Sequence, residues 1–378
     1  MKIVIDKDIP YIMDAFSKKT NIKATYIKGA EISNEVLTDS DALIIRTRTV
    51  CNDKLLRNTK TKVIATATIG YDHIDTEYCK QNNIKWSNAP GCNSESVNQY
   101  VAAAISKLAL SRRTSIKDLT IGIIGVGHVG TKVKLTAEAL GMNVILSDPP
   151  RAVAENNPSL DKLNEIIDNA DIITLHTPLV MTGIYKTFHL ANEDFFRRLK
   201  KSPYIINTCR GEVVDTTALK TALRNGLCRG AVIDCWENEP NIDLDLLKLC
   251  DIATPHIAGY SKDGKANGTT QAVQFVSKIL GLGMDDWKCF PHEKPTDPII
   301  DISLIKGDNT EEIAMRTILQ TYDIQLDNKT LQEEPYSFER QRSKYQTRRE
   351  FNSYTISNCN SAQLEKILSK LNFNIDRK

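Results

Sequence analysis

The sequence predicts an α/β protein built on parallel sheets, on three observations. Short apolar runs alternate with polar helical stretches along most of the chain, the pattern of β-α-β units. A glycine-rich loop, GVGHVG (125–130), follows one such run and opens a helix. Later runs end abruptly in polar, chemistry-bearing residues, as the strands of a doubly wound sheet do at their carboxyl ends.

At 378 residues the chain exceeds one ordinary core, so two or three domains are expected. Its apolar fraction of 41% and charged fraction of 25% are those of a globular protein rather than a disordered or membrane-spanning one. A net charge of +2 gives no electrostatic reason to expect nucleic acid or an anionic membrane as a partner. The opening MKIVIDKDIP carries Asp6 and Asp8 where a secretory segment would be apolar, so it reads as a first strand, and a cytoplasmic location is expected. The nine cysteines have no CxxC spacing and are odd in number, which favours scattered reduced thiols over a disulfide framework or a metal site.

In chain order, strands are expected at 2–6, 42–46, 63–66 and 84–87, with helices at 9–18 and 75–82, the latter capped by Asp75. After the Pro90-Gly91 break, SESVNQYVAAAISKLALS forms a long helix over 93–111. TIGIIG then reads as a buried strand, followed by the glycine loop, a helix over 131–140 ended by Gly141, and the strand NVILSD. ADIITLHTPL, SPYIINTCRG, GAVIDCW and CDIATPHIAG repeat the strand-to-loop unit, and a helix follows at 269–280. Beyond 283 the pattern changes: strand 299–303, helix 311–322, a polar helical run over 338–350, a further strand, and helix 361–371. This region shows no site chemistry. The basic run ERQRSKYQTRRE, interrupted by glutamates, reads as a solvated helix face.

The loop Gly125, Gly127, His128, Val129, Gly130 has the spacing of a dinucleotide turn. Gly125 permits the tight turn, Gly127 lets backbone approach a pyrophosphate, and Gly130 lets the helix pack on the strand. The helix N-terminus then offers N–H groups to the phosphates. Asp148, ending the next strand, would hold the ribose hydroxyls and repel a 2′-phosphate, so NAD is expected rather than NADP. His176 and Thr177, at another strand end, are expected to line the cofactor cleft.

Three later segments supply Arg210 (NTCRGEVVD, 207–215), Glu239 (DCWENEP, 234–240) and His256 (TPHIAG, 254–259). Each alone has a bland reading, as a loop cation, a helix-start acid and a buried histidine. Together at successive strand ends they suit hydride chemistry on a small 2-hydroxy acid. A guanidinium grips a carboxylate with two parallel bonds. An imidazole takes the hydroxyl proton. A carboxylate on the far ring nitrogen fixes the tautomer. Arg46 and Arg48 flank Thr47 at an N-terminal strand end and offer cations to a substrate anion.

These segments resemble the NxxRGxxVD, DVWExEP and PHxAG motifs of the D-isomer-specific 2-hydroxyacid dehydrogenases. PGCNSESV (90–97), HIAGYSKDGKANGTTQ (256–271) and the opening IVIDKDIPY extend the likeness over the whole chain, toward members acting on a phosphorylated hydroxy acid. The resemblance implies a Rossmann NAD-binding domain over 93–257 and a flavodoxin-like, discontinuous substrate domain over 1–92, completed by about 258–286. It also implies a C-terminal α+β domain over 287–378 that forms a homodimer. It makes Arg210 and Glu239 catalytic and His256 the proton donor and acceptor. Asp148, Thr177, Asp234 and Gly259 would contact NAD, and Thr47, Thr68 and Tyr260 the substrate. Thr47 replaces a common serine and Cys235 a common valine, both conservative changes. A sister dehydrogenase for another hydroxy acid, or an NAD-sensing binding protein of the same fold, would carry much of this pattern.

Overall fold

In a computed structural model, which describes residues 1–378 except Asp14, Lys18, Thr347 and Lys378, the apolar runs become strands of three parallel sheets. The chain divides into two units, Met1–Asn93 with Ser261–Lys294, and Ser94–Tyr260 with Pro295–Lys378.

The first unit carries β1 (Lys2–Asp6), β2 (Lys23–Ile27), β3 (Ala42–Ile45), β4 (Val63–Thr66) and β5 (Lys85–Ser87) in the order β2-β1-β3-β4-β5. This is the flavodoxin-like order. The near-continuous apolar runs are explained by burial on both faces, as parallel sheets require. Ile3, Ile5, Ile44 and Ala65 pack with Ala272, Val273 and Val276 of the helix Lys262–Leu280. Val4, Leu43, Ile45 and Ile64 face the opposite cluster with Ile32, Leu37 and Leu55. Asp75 caps the following helix as expected, accepting from Tyr78 N at 2.9 Å. The helix Lys262–Leu280 starts well before residue 269, where Ser261 Oγ accepts from Gly264 N, and ends at Gly281 with φ 65°.

Two expectations fail here. The described residues of 9–18 form turns, not a helix: Ile12 N bonds Ile9 O and Ala15 N bonds Ile12 O. Pro10 lacks an N–H, and Tyr11 sits in the left-handed region at φ 62°, so an α ladder cannot propagate. The turns still bury Ile9, Ile12, Ala15 and Phe16, while Asp14 and Lys18 lie outside the described residues. β2 was not expected at all, because an edge strand with no fully buried residue shows no clean alternation.

The second unit holds β6 (Thr120–Ile124), β7 (Asn143–Ser147), β8 (Ile172–Leu175), β9 (Tyr204–Asn207), β10 (Gly230–Ile233) and β11 (Ile252–Ala253). Their order is β11-β10-β9-β8-β6-β7, so the chain reverses across the sheet at β6 and β8. That reversal point is where such sheets bind ligands. Ile121, Ile123, Ile206 and Val232 pack with Tyr100, Val101 and Ile105 of the helix Ser94–Arg112. Ile124, Ile205 and Ile233 point to the other cluster, as period-two alternation demands. Beyond β7, Ser147 forms an isolated bridge to Asp161.

Residues 295–378 share these cores. Their own small sheet comprises β12 (Ile299–Asp301), β13 (Thr355–Ser357) and β14 (Asn374–Ile375). Met315, Ile318 and Tyr322 pack in the cluster of Tyr100, whereas Leu331 and Phe338 enter the opposite one. A helix absent from the sequence reading, Ile324–Glu333, lies beside β11, and Asn328 Oδ1 accepts from Ala253 N at 2.8 Å. That caps an edge strand which would otherwise expose its ladder. The helix expected over 338–350 stops at Ser343, because the chain turns inward to bury Arg348 and Glu350. Among the described residues no helix is long and apolar enough to cross a membrane.

Phe338 is 1% exposed within the nucleotide-fold cluster. Phe338→Ala should therefore destabilise the whole second unit by about 3–5 kcal/mol. Urea unfolding followed at both ends of that unit should shift together; a shift confined to residues 295–378 would contradict the shared core.

Candidate active site

The glycine loop forms as its spacing requires. Gly125 stands at φ 88°, and a Cβ there would meet His176 backbone at 2.7 Å. At Gly130 a Cβ would meet Gly125 O at 2.0 Å, so only glycine lets helix and strand approach. At Gly127 a Cβ would find nothing within 4 Å, leaving open space over the backbone. The helix runs His128–Ala139, earlier than the expected 131, so the loop and the helix N-terminus coincide. His128 is exposed and Val129 partly so.

Asp148 Oδ2 accepts from Val126 N at 2.8 Å and Oδ1 from Arg151 N at 3.2 Å, which fixes its carboxylate beside the loop. Arg151 bonds Val126 O and pairs with Glu155 at 2.7 Å, so its charge is already engaged. His176 bonds Thr174 Oγ1 at 2.9 Å and Thr208 Oγ1 at 3.3 Å. Burial pushes its pKa down to about 3, so the ring is neutral. Among the described residues Thr177 Oγ1 is buried beside the Cys209 thiol without a regular hydrogen-bond partner, a group that a cofactor hydroxyl or amide would satisfy. Open backbone at Gly127, a fixed acid and a buried hydroxyl at neighbouring strand ends fit a dinucleotide.

His256 follows β11 and Glu239 follows β10. Glu239 Oε2 lies 2.8 Å and Oε1 3.0 Å from His256 Nδ1, and Oε1 also accepts from Trp236 N at 2.9 Å. The carboxylate therefore takes Nδ1–H, and Nε2 carries the lone pair for a substrate proton. Burial pushes the Glu239 carboxyl up, but the hydrogen bond and charge of His256, the Trp236 amide and the Arg342 charge outweigh it and hold the carboxyl below its usual range. Both residues are largely buried, so the pair works in a weakly screened setting. DCWENEP offers two glutamates, and the structure separates them. Glu237 pairs with His189 at 2.8 Å and accepts from Thr216 N.

Asp234 was expected at the cofactor. Within the chain its side chain is 1% exposed and accepts from Thr254 Oγ1 (2.7 Å), Ile257 N (2.7 Å) and Ala258 N (3.0 Å). Both oxygens are engaged in shaping the loop that bears His256. His256 itself takes the left-handed φ of 56°. Gly259 and Tyr260 continue this turn, with Tyr260 N bonding Ile257 O.

Arg210 leaves β9 in a turn held by Asn207, whose Nδ2 donates to Arg210 O at 2.9 Å and Cys235 O at 3.3 Å. A Cβ on Gly211 would meet Trp236 backbone at 2.0 Å, so this glycine lets the arginine turn lie against the β10 loop. Arg210 donates to Cys209 O, and among the described residues no carboxylate pairs with it, which leaves the guanidinium fork for an anion. Cys209 donates to Asn207 Oδ1 and burial pushes its thiol up, so it is no nucleophile. Among the described residues Cys235, Glu239 and His256 place possible ligand atoms within 4.8 Å of one another. Burial holds the Cys235 thiol protonated and the other two already bond each other, so the set does not suit a cation.

Arg46, Thr47 and Thr68 belong to the first unit. Arg46 is half-buried and donates to Asp8 O at 3.3 Å; Thr47 and Arg48 are exposed. Thr68 Oγ1 bonds Thr66 Oγ1 and Gly70 O. Burial pushes Lys265 of the same unit down to about 8, with Arg46 and Lys262 adding like charge. The sequence reading missed this lysine. It also missed Arg342 and Arg348, which reach the backbone of the His256 loop. No spacing in a basic, polar run distinguishes a buried arginine from a solvated one.

Residues 94–258 match the family model for the D-isomer specific 2-hydroxyacid dehydrogenase NAD binding domain, and 295–371 match a domain of unknown function. An erythronate-4-phosphate dehydrogenase of Bacteroides thetaiotaomicron is 47% identical over 356 residues, 94% of this chain and 99% of that one. One of Escherichia coli O7:K1 is 40% identical over 377 residues, 99% of this chain and 98% of that one. Among solved structures, 3-phosphoglycerate dehydrogenase of Entamoeba histolytica with bound NAD+ aligns with a TM-score of 0.61 at 25% identity, over 77% of this chain and 99% of that one. D-lactate dehydrogenase of Aquifex aeolicus with NAD and lactic acid gives 0.60 at 24%, over 76% and 97%.

Gly127→Ala, which meets nothing, should leave the melting temperature unchanged while weakening NADH binding by about tenfold or more. Gly130→Ala, which strikes backbone, should lower both; fluorescence titration and thermal melts distinguish the two. Glu239 has a depressed carboxyl, so the stability it contributes is present above its unfolded pKa of about 4.3 and is lost as pH falls through the lower folded value. The melting-temperature gap between the native chain and Glu239→Gln should thus be widest near neutrality and close on acidification. A gap that grows in acid would reverse the sign assigned here.

Proposed function

Because this chain belongs to the D-isomer-specific 2-hydroxyacid dehydrogenases, we propose that it oxidises 4-phospho-D-erythronate to (R)-3-hydroxy-2-oxo-4-phosphobutanoate, a step of pyridoxal 5′-phosphate formation. The observation that carries the chemistry is the bond from Glu239 to His256 Nδ1, which leaves Nε2 for the substrate hydroxyl. Similarity over 94–99% of the chain to enzymes named for erythronate-4-phosphate supports the substrate.

In this reading Arg210 binds the substrate carboxylate through its two parallel N–H bonds. His256 Nε2 takes the C2 hydroxyl proton as the C–H bond breaks, and Glu239 stabilises the imidazolium that forms. Bound NAD would supply the hydride acceptor. Gly125, Gly127, His128, Val129 and Gly130 hold its pyrophosphate, Asp148 its ribose, and His176, Thr177 and Gly259 line its cleft. Asp234 contacts NAD as well as shaping the His256 loop. Thr47, Thr68 and Tyr260 offer hydroxyls to the substrate, and Arg46 binds its phosphate. Residues 1–92 with about 258–286 act as the substrate domain, 93–257 as the NAD domain and 287–378 as a homodimerisation domain. Nine cysteines scattered without disulfide spacing suit a reducing cytoplasm.

The test is NADH formation by stoichiometric enzyme with NAD and either 4-phospho-D-erythronate or 3-phosphoglycerate. A burst is expected with phosphoerythronate alone, reduced roughly 100- to 10,000-fold in His256→Asn. In the same assay Arg46→Ala should raise KM with little change in NAD affinity. A burst with phosphoglycerate instead transfers the assignment to a sister enzyme, and none with either removes it.

A further inference from the structure

The basic run 338–350, expected to be a solvated face, instead carries a buried cation at the back of the His256 loop. Arg348 is 9% exposed. Its Nη2 donates to Ala258 O at 2.7 Å and Ser96 O at 2.9 Å, its Nη1 lies 3.4 Å from Ile257 O and Tyr260 O, and its Nε donates to Gln99 Oε1 at 3.0 Å. The guanidinium stacks over the Tyr322 ring at 4.2 Å. Among the described residues no carboxylate forms a direct ion pair with it; Asp327 reaches it through the Tyr345 hydroxyl, and most of its donors face backbone carbonyls. From the same run Arg342 Nε approaches His256 O at 3.4 Å.

Burying an arginine is expensive, and an apolar side chain would fill such a space at lower cost. What the guanidinium adds is a rigid, planar set of donors that reads the positions of several carbonyls at once. Asp234 gathers the amides of Ile257 and Ala258 from one side, and Arg348 gathers the carbonyls of Ile257, Ala258 and Tyr260 from the other. The segment so fixed begins at His256, which stands at φ 56°, a conformation a non-glycine residue keeps only when its surroundings over-determine it.

We propose that Arg348 is a positioning residue for the reaction, holding the 256–260 turn so that His256 meets the substrate in one orientation. The proposal rests on the reading of His256 as the proton acceptor. Arg348 touches no reacting atom, and it acts through the loop backbone.

The experiment compares Arg348→Met and Arg348→Lys with the native chain. Three quantities are read: single-turnover NADH formation from 4-phospho-D-erythronate, NADH affinity, and deuterium uptake at amides 257–260. The turnover rate should fall about 100-fold in Arg348→Met, because a small displacement of the base suffices for that. NADH affinity should stay within about threefold. Arg348→Lys, with charge but no planar fork, should recover only part of the rate. A native rate in either variant overturns the proposal, as does a fall in NADH affinity that matches the fall in rate. Should Arg348→Met not fold, Arg348→Lys decides by the same criteria. If the native chain itself shows no turnover, the functional reading fails, and deuterium uptake judges the clamp: faster exchange at 257–260 upholds it and unchanged exchange overturns it.

Discussion

One desolvated carboxylate, that of Asp234, is the constraint on which the chemistry of the second unit depends. Burial pushes its carboxyl up, while the charge of His256 and the donors of Thr254, Ala258 and Ile257 act against that. A carboxylate removed from water is tolerated only when its oxygens find donors. Here the donors are successive backbone amides of the turn after β11, so the need to satisfy the anion dictates the shape of the turn. His256 N bonds the Asp234 carbonyl at 2.8 Å, and the two following amides converge on its side chain. This is a backbone nest closed around a protein anion. The left-handed His256 and the direction of its ring toward Glu239 follow from it.

Around that point, space matters as much as charge. Gly211 lets the Arg210 turn lie against Trp236, and Trp236 Nε1 donates to Thr254 O at 2.9 Å. Trp236 N donates to Glu239. The loops after β9, β10 and β11 are thus laced through one buried tryptophan, and the cation, acid and imidazole they carry are mutually indexed. Tyr100, from the helix Ser94–Arg112, ties in at 2.7 Å through Thr254 Oγ1. A polar network of this kind is stable because its members are matched, and it admits few alternatives.

How much of this was legible follows from where the information lies. β1, β3, β4, β6 and β8 to β10 announce themselves because strands buried on both faces must be apolar and short, and their ends must be polar; β7 and β11, though at the rims, keep apolar runs of the same kind. The glycine loop, Arg210, Glu239 and His256 are legible because each sits within a few residues of such an end. β2 was not, since an edge strand needs no fixed pattern. The helix mistaken at 9–18 has the right apolar spacing, but Pro10 and Tyr11 override it, and i to i+3 turns bury nearly the same residues. The helix Ile324–Glu333 and the buried Arg348 escaped for a different reason. Their meaning depends on partners more than seventy residues away, at Ala253 and Ala258, and long-range pairing leaves no local trace. The choice between Glu237 and Glu239 is of the same sort: only the fold gives one to His189 and the other to His256.

The cap on β11 has a consequence for how the molecule comes into being. β11 is two residues long, lies at the rim of its sheet, and leads directly to His256. Its cover, the helix Ile324–Glu333 with Asn328, belongs to a part of the chain that a ribosome delivers well after β11 itself. The newborn nucleotide fold therefore carries an open sheet rim, and a histidine turn held by Asp234 without Arg348, until those later residues arrive. The stretch that seals the rim against unwanted strand addition thus continues into the one whose Arg348 holds the histidine turn.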